Sequence, residues 1–388
     1  MNRNFHLTED EKNFLADRFE TPFMVISLNK VQENYLYLKK QLPRVKVFYA
    51  MKANSTPEVL LQLANLGSNF DVASPGEMRA LNALGISGSR MVYANPVKTL
   101  SGIKLAHDLG VDKFTFDDES EIHKLASYAP GAKVLVRVRV ENKDAVVNLN
   151  EKFGAAPMQA LQLLQLAKDN GLIPAGICFH VGSQSLSADA YITALEMCRE
   201  LFDKAEIQGM HLTALDIGGG LPVPNEKVEA VDVDSMTDIL REKLDELFPD
   251  TEIWSEPGRF MCGTAVNLVT SVIGTKMRNG QPWYVLDDGL YGSFNGLMFD
   301  HWNFKMKMPA DKAQEKVVPS TFVGPSCDSI DVVARDLPAP KLEIGDRIMV
   351  PNIGAYSTSA ATSFNGFPPA DTIVYEDNIA VSSDIAVG

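Results

Sequence analysis

Between residues 47 and 259, short apolar segments alternate with segments that carry helix start and stop signals, such as Thr56-Pro57 and Gly67. Strands that alternate with helices predict an α/β fold with a parallel sheet, and eight such units predict a (β/α)8 TIM barrel. A doubly wound open sheet is the competing architecture. The predicted strands are VFYAMK (47–52), SNFDVAS (68–74), MVYAN (91–95), KFTFDD (113–118), VLVRVRV (134–140), GICFHVGS (176–183), ALDIGGG (214–220) and EIWSEPGR (252–259).

The pattern changes after Gly263, where strand-like segments follow one another without amphipathic helices between them. This spacing is typical of an antiparallel β domain. The strand FMVISL (23–28) precedes the barrel, and we expect it to join that second domain. The predicted domains are therefore a barrel over 29–262 and a β domain formed by 1–28 and 263–388. Residues 141–154 and 303–318 are predicted to be mobile loops.

Composition excludes several classes of function. The net charge of −14 argues against a nucleic-acid partner and is compatible with a cationic substrate. The charged N-terminal residues do not resemble a signal peptide, and no apolar run is long enough to cross a bilayer. The four cysteines are far apart and show no metal-binding spacing. We therefore expect a cytoplasmic protein without a metal site or a membrane partner.

In a TIM barrel the active site lies at the carboxyl ends of the strands. Polar side chains and glycines gather at these ends in the predicted strands. We therefore expect one polar site at the mouth of the barrel. Its candidate residues are Lys52, Asp71, Asn95, Arg137, His180, Ser183, Gly218, Gly219, Gly220, Glu256 and Arg259.

Each of these residues also has an ordinary structural interpretation. Lys52 can extend to solvent, the glycines Gly218–Gly220 can form a tight turn, Glu256 can pair with Arg259, and His180 can be a core residue. Their combination is more specific. A lysine can form a Schiff base with an aldehyde, a carboxylate can hold a protonated ring nitrogen, an imidazole can stack on a ring, and glycine N–H groups can bind a phosphate. Together these groups predict pyridoxal 5′-phosphate (PLP).

The chain also resembles a known family over residues 20 to 375. The motifs FYAMKAN, FDVAS, YANP, KFG, FHVGSQ, LDIGGG, EPGR, DDGLYGSFN, GPSCDSID and GAYSTSAATSFNGF occur in the order found in that family. They resemble the fold-type III, alanine racemase-like barrel decarboxylases that depend on PLP. Bacterial lysine/ornithine decarboxylases are the most similar members. The resemblance implies a PLP-binding barrel with a C-terminal β domain.

The resemblance implies a role for each site residue. Lys52 would bind the cofactor aldehyde, Glu256 would hold the ring nitrogen, and His180 would stack on the ring as a third catalytic residue beside Lys52 and Cys327. Asp71 and Arg137 would lie near the cofactor. The implied phosphate ligands are Ser183, Gly218, Gly219, Gly220, Gly258, Arg259 and Tyr356.

The resemblance also implies a homodimer with shared active sites. Cys327 of one chain would protonate the substrate α-carbon in the partner's barrel, and Asp328 and Asp300 would bind the distal amine of a small diamino acid. From the residues alone, Cys327 reads as a buried cysteine in a β-turn. The predicted function is decarboxylation of L-lysine, L-ornithine or both, giving cadaverine or putrescine in polyamine biosynthesis. A diaminopimelate decarboxylase, an amino-acid racemase and a regulatory protein without activity are the alternatives.

Overall fold

A computed structural model describes residues 4–142, 145–147, 152–223, 231–300 and 302–375. The strands are β1 Phe23–Ser27, β2 Lys46–Ala50, β3 Asn69–Val72, β4 Met91–Tyr93, β5 Lys113–Phe116, β6 Lys133–Arg137, β7 Ala145–Val147, β8 Ile173–Cys178, β9 Ser183–Ser185, β10 Ala214–Asp216, β11 Glu252–Ser255, β12 Val266–Arg278, β13 Gln281–Leu286, β14 Val318–Val323, β15 Val332–Ala339, β16 Arg347–Pro351 and β17 Asp371–Tyr375. The α-helices are α1 Glu9–Ala16, α2 Leu28–Gln41, α3 Pro57–Asn65, α4 Pro75–Ala83, α5 Leu100–Asp108, α6 Glu119–Tyr128, α7 Pro157–Asp169, α8 Asp189–Ile207, α9 Val233–Leu247, α10 Arg259–Cys262 and α11 Gly296–Phe299.

Eight parallel strands form a closed barrel in the order β2-β3-β4-β5-β6-β8-β10-β11, with β11 paired to β2. This closure confirms the predicted (β/α)8 barrel and excludes the open sheet. The strands are continuously apolar because they are covered on both sides, as in β2, where Val47 to Ala50 are all buried. Inside the barrel, large side chains including Phe48, Leu135 and Trp254 pack into one cluster.

The barrel strands end earlier than the sequence predicts. For example, β2 ends at Ala50, and Lys52 lies in a single 3-10 turn, Met51–Ala53. His180, Gly218 and Glu256 likewise fall just beyond β8, β10 and β11. These four candidate residues therefore lie just beyond the rigid strands that position them, whereas Asp71 lies within β3 and Arg137 ends β6.

The second set of strands forms one sheet in the order β15-β14-β13-β12-β1-β17, with β16 also paired to β12. Most pairs are antiparallel, which confirms the predicted class of this domain, although β1 pairs with β17 and β13 pairs with β14 in parallel. The early strand β1 lies in this sheet. The sequence did not indicate β15, whose charged residues and irregular register resemble a loop.

The chain divides into two compact units, Asn34–Phe260 and Met1–Glu33 with Met261–Gly388. Of the predicted loop 141–154, residues 143–144 and 148–151 lie outside the described residues, and β7 pairs with β9 in antiparallel fashion. The predicted loop 303–318 contains a short 3-10 helix, Ala310–Lys312. No helix in the described ranges is long and apolar enough to span a membrane.

Candidate active site

Lys52 and Asp71 form an ion pair at the mouth of the barrel. Lys52 Nζ lies 3.0 Å from Asp71 Oδ2, and the lysine side chain is about half exposed whereas Asp71 is buried. Close by, the Ala73 N–H donates to Glu77 Oε2 at 2.5 Å. Burial raises the pKa of Glu77, and the Asp71 charge adds to this effect. The amine thus lies at the open side of an acidic, partly buried cluster.

The carboxyl groups of Asp216 and Glu256 are close enough for each to shift the pKa of the other, although each belongs to a different strand–loop junction. Burial raises the pKa of Asp216 to about 6. Burial and the neighbouring charges of Asp216 and Asp71 raise the pKa of Glu256 well above its usual range, and Lys52 and Arg137 oppose this shift. Two adjoining buried carboxyl groups cannot both ionise at low cost, so the pair retains a proton.

His180 is held as a neutral imidazole. Burial, followed by the nearby charges of Arg137 and Lys52, lowers the pKa of His180 to about 3. The Gly182 N–H donates to His180 Nδ1 at 2.9 Å, so the remaining ring hydrogen is on Nε2. A neutral ring in this place can stack on an aromatic ligand without repelling a cationic one.

The glycines Gly218, Gly219 and Gly220 form a concave segment whose carbonyl groups all accept hydrogen bonds from the protein. The donors are the Glu256 N–H and Ser255 Oγ to Gly218, both at 2.8 Å, Tyr191 Oη to Gly219 at 2.8 Å, and the Ser185 N–H to Gly220 at 2.9 Å. No acceptor among the described residues bonds to the N–H of Gly219 or Gly220. These two donors are therefore available to an anion.

Side chains would not fit at the three glycines. A Cβ atom would lie 2.4 Å from Phe179 O at Gly218, 2.7 Å from Glu256 O at Gly219 and 2.6 Å from Gly182 O at Gly220. Gly218 and Gly220 also have φ values of +67° and +115°. The sequence LDIGGG thus meets a steric demand, because only glycine lets the neighbouring backbone segments pack this closely.

The other predicted phosphate ligands of this unit lie on neighbouring loops. Ser183 begins β9, and Arg259 is buried at the start of α10. A Cβ at Gly258 would lie 2.9 Å from Ala53 Cβ, next to Lys52 in the chain. In contrast, Asn95 forms local contacts, because its amide donates to Ala73 O at 3.4 Å and accepts from the Val97 N–H at 3.4 Å.

The remaining predicted residues belong to the other compact unit. Cys327 is exposed, so its interpretation as a buried cysteine is wrong. Its N–H donates to Asn365 Oδ1 at 3.0 Å. Tyr291 Oη donates to Asp328 Oδ2 at 2.6 Å, and this hydrogen bond is the main cause that lowers the pKa of Asp328. The Tyr291 ring stacks on Phe364 with centroids 4.3 Å apart.

Asp300 and Tyr356 also lie in this second unit. Asp300 follows α11, and its N–H donates to Gly296 O at 3.0 Å. Tyr356 has a left-handed backbone with φ of +67°. Both side chains are partly exposed. Their predicted roles, like those of Cys327 and Asp328, stay predictions.

Sequence reasoning missed several residues of this site. Asp216 ends its strand and adjoins Gly218, so the rule that selected polar residues at strand ends also applies to it. Tyr291 lies in the quoted motif DDGLYGSFN but was given no role. Tyr191 lies on α8, a segment that gave no local signal for a contact with Gly219.

The barrel residues fit PLP. The Asp216–Glu256 pair is buried and acidic, which suits a protonated pyridine nitrogen, and the glycine segment presents two N–H donors that suit a phosphate. Lys52 supplies the amine for an aldehyde.

Comparison with known proteins identifies the class. Residues 28–263 match the family described as pyridoxal-dependent decarboxylase, pyridoxal binding domain, and this match covers more than half of the chain. The chain therefore belongs to the family of PLP-dependent decarboxylases. The predicted family, cofactor and reaction class are confirmed.

Individual relatives are similar over nearly their whole length. The chain is 58% identical over 375 residues to the lysine/ornithine decarboxylase of Selenomonas ruminantium, covering 97% of this chain and 95% of the relative. A crystal structure of lysine decarboxylase from that organism matches with a TM-score of 0.93 and 58% identity, covering 96% of this chain and 97% of the other. The lysine/ornithine decarboxylase of Vibrio vulnificus, solved with cadaverine, matches with a TM-score of 0.89 and 34% identity, covering 96% and 100%.

Proposed function

We propose that this protein decarboxylates L-lysine and L-ornithine to cadaverine and putrescine, a step of polyamine biosynthesis. The observation that carries the choice of substrate is the carboxylate of Asp328. Tyr291 Oη and the Ile330 N–H both donate to it, and these hydrogen bonds fix the orientation of the carboxylate and lower its pKa. A fixed carboxylate favours a substrate that ends in a bare ammonium group.

The barrel residues would hold the cofactor. Lys52 would bind it covalently, Glu256 would hold its ring nitrogen with Asp216 beside it, and Gly219 and Gly220 would bind its phosphate. When bound, PLP supplies an electron sink for the electron pair left by departing carbon dioxide. Neutral His180 would press on the ring face, and Asp71 and Arg137 would balance the charge around it.

Cys327 would return a proton to the α-carbon. The thiol is exposed in its own chain, and the site of another chain would receive it in a homodimer. The same segments carry the exposed apolar residues Phe299, Ile330 and Phe364. Exposed apolar side chains beside functional groups are typical of a protein interface.

The enzyme is expected to discriminate only weakly between substrates that differ in the length of the side chain. Lysine and ornithine differ by one methylene group, which is worth roughly 1–3 kcal/mol, or about 10–200-fold in specificity. We therefore propose activity on both. Diaminopimelate carries a second carboxylate, which Asp300 and Asp328 would repel. A racemase would need a second base in place of Cys327 and Asp328.

The test is release of carbon dioxide from L-ornithine, L-lysine, L-arginine and meso-diaminopimelate, measured in parallel with added PLP. We expect release from ornithine and lysine. The matched variant Asp328→Asn keeps the size of the side chain and removes its charge, so it should raise KM for both substrates. Release only from diaminopimelate or arginine would exclude this substrate assignment.

The shared site has its own test. Lys52→Ala and Cys327→Ala chains are each expected to be inactive, and mixing them should restore part of the activity, because a mixed dimer contains one intact site. No recovery after subunit exchange would contradict the homodimer. A reducing, cytoplasmic location is also proposed, and it is supported by the four free cysteines.

A further inference from the structure

Gln184 is buried at the mouth of the barrel in an unfavourable backbone conformation. Its φ is +57°, and it is 3% exposed. The left-handed region is costly for a residue with a side chain unless the surrounding structure imposes it. The conformation therefore needs a compensating interaction.

The side-chain amide supplies that interaction. Gln184 Nε2 donates to Val223 O at 3.0 Å, and the Val223 N–H donates to Gln184 Oε1 at 2.9 Å. The amide thus binds both backbone groups of one residue, as a neighbouring strand would. Val223 is also buried, so both of its backbone groups depend on this partner.

This double hydrogen bond fixes one end of the glycine segment. At the start of the segment, Gly218 is held because its N–H donates to Asp216 Oδ1 at 2.9 Å. At its end, the Ser185 N–H donates to Gly220 O at 2.9 Å, and Gln184 holds Val223 three residues later. Hydrogen bonds therefore hold the segment in place on both sides of Gly219.

We propose that Gln184 is a positioning residue that holds Gly219 and Gly220 in the orientation that binds the cofactor phosphate. This inference rests on the proposed phosphate-binding role of the glycines. Gln184 itself need not touch the cofactor. Its contribution is to keep the two N–H donors in place before the ligand arrives, which reduces the cost of ordering them on binding.

The experiment compares two ligands of the cofactor-free protein, PLP and pyridoxal, which lacks the phosphate. Their dissociation constants are measured by absorbance titration for the wild type and Gln184→Ala. We expect the constant for PLP to rise at least about tenfold, because the polar groups of Val223 lose their partner and the segment loses its support. The constant for pyridoxal should stay within about twofold of the wild-type value.

Two further variants make the result decisive. Gln184→Gly removes the two hydrogen bonds to Val223 and places a residue that adopts the left-handed backbone conformation without strain, so it folds even if the alanine variant does not. It should show the same selective loss of PLP affinity. Gln165→Ala removes a glutamine from the surface of α7, where its amide donates to Asp169 Oδ1 at 2.7 Å, and should change neither constant. Equal weakening of both ligands, or no weakening, would overturn the proposal for Gln184.

A third variant separates this proposal from the one on which it rests. Ser183→Ala removes only the hydroxyl group of another predicted phosphate ligand, and it should weaken PLP selectively if this part of the barrel binds the phosphate. If Ser183→Ala is selective and Gln184→Gly is not, only the role of Gln184 is wrong. If neither is selective, the proposed phosphate site beside the glycines is wrong as well.

Discussion

Replacing Asp216 with asparagine should remove part of the pH dependence of stability from the cofactor-free protein. Asp216 is fully buried, and its Oδ1 accepts the Gly218 N–H at 2.9 Å. An asparagine can keep this bond through its own Oδ1. Its neutral amide then replaces the second acid that Asp216 now presents to Glu256. The substitution therefore relieves the like-charge contact without disturbing the turn.

The magnitude follows from the pKa of Asp216, which rises from 3.8 to about 6 on folding. At about 1.4 kcal/mol per pKa unit, this rise corresponds to about 3 kcal/mol. Because the folded-state pKa is raised, the stabilisation is fully present below pH 3.8 and is lost as the pH rises through 6. The proton belongs to the Asp216–Glu256 pair, so either carboxyl group can carry it.

The assay is urea unfolding of the wild type and Asp216→Asn without PLP at several pH values between about 4 and 7. The free energy of unfolding of the variant minus that of the wild type should rise by about 3 kcal/mol over this range. Asp288, which is also buried with its pKa raised to about 6, provides an internal control because it titrates in both proteins. Parallel curves for the two proteins would refute the shared proton.

Three further predictions use the same physical arguments. Tyr291→Phe removes the hydrogen bond that orients the Asp328 carboxylate, so it should raise KM for lysine and ornithine severalfold with little change in kcat, as steady-state kinetics will measure. Gly219→Ala places a Cβ 2.7 Å from a backbone oxygen and should weaken PLP binding roughly tenfold, measured by absorbance titration. Lys98→Met removes one of two lysine partners of the buried Glu121, which keeps Lys124 at 2.5 Å, and leaves the Pro96 and Thr115 carbonyl groups without this donor. It should destabilise the protein by roughly 1–3 kcal/mol in urea unfolding, and an unchanged midpoint would exclude a stabilising role for Lys98.

The barrel was predictable because its signals are local. Each parallel strand is a short apolar run, and the helix caps follow at regular intervals. Ser74 illustrates this, since its hydroxyl accepts the Glu77 N–H at the start of α4. The carboxyl ends of parallel strands converge in a barrel, so Lys52, Asp71 and Glu256 could be assigned to one site before any distance was known.

The sequence predicted less well which charged side chains of the site lie next to each other. Glu256 was expected to need a positive partner, and Arg259 was one candidate, yet the neighbouring charge with the largest effect on its pKa is that of a second carboxyl group, Asp216. Two neighbouring carboxyl groups contradict simple charge pairing, and their raised pKa values favour a state in which one of them keeps its proton. No sequence pattern signals it.

Backbone conformation was a second feature of the site that the sequence could not predict. Gln184 adopts a left-handed conformation because of its contacts with Val223, which lies 39 residues further along the chain. Long-range contacts of this kind carry no local sequence signal. The sequence motifs containing Cys327 and Asp328 were recognisable, but the roles proposed for these residues require a second copy of the chain, and mixing inactive variants tests them directly.

The attachment point of the cofactor tests the central claim most directly. The PLP-loaded protein is reduced with borohydride, digested and analysed by mass spectrometry to find the lysine that carries the pyridoxyl group. We predict a single labelled lysine, Lys52, and no label in Lys52→Arg. A label on another lysine, such as the buried Lys98 whose pKa burial lowers to about 8, would contradict the proposed active site.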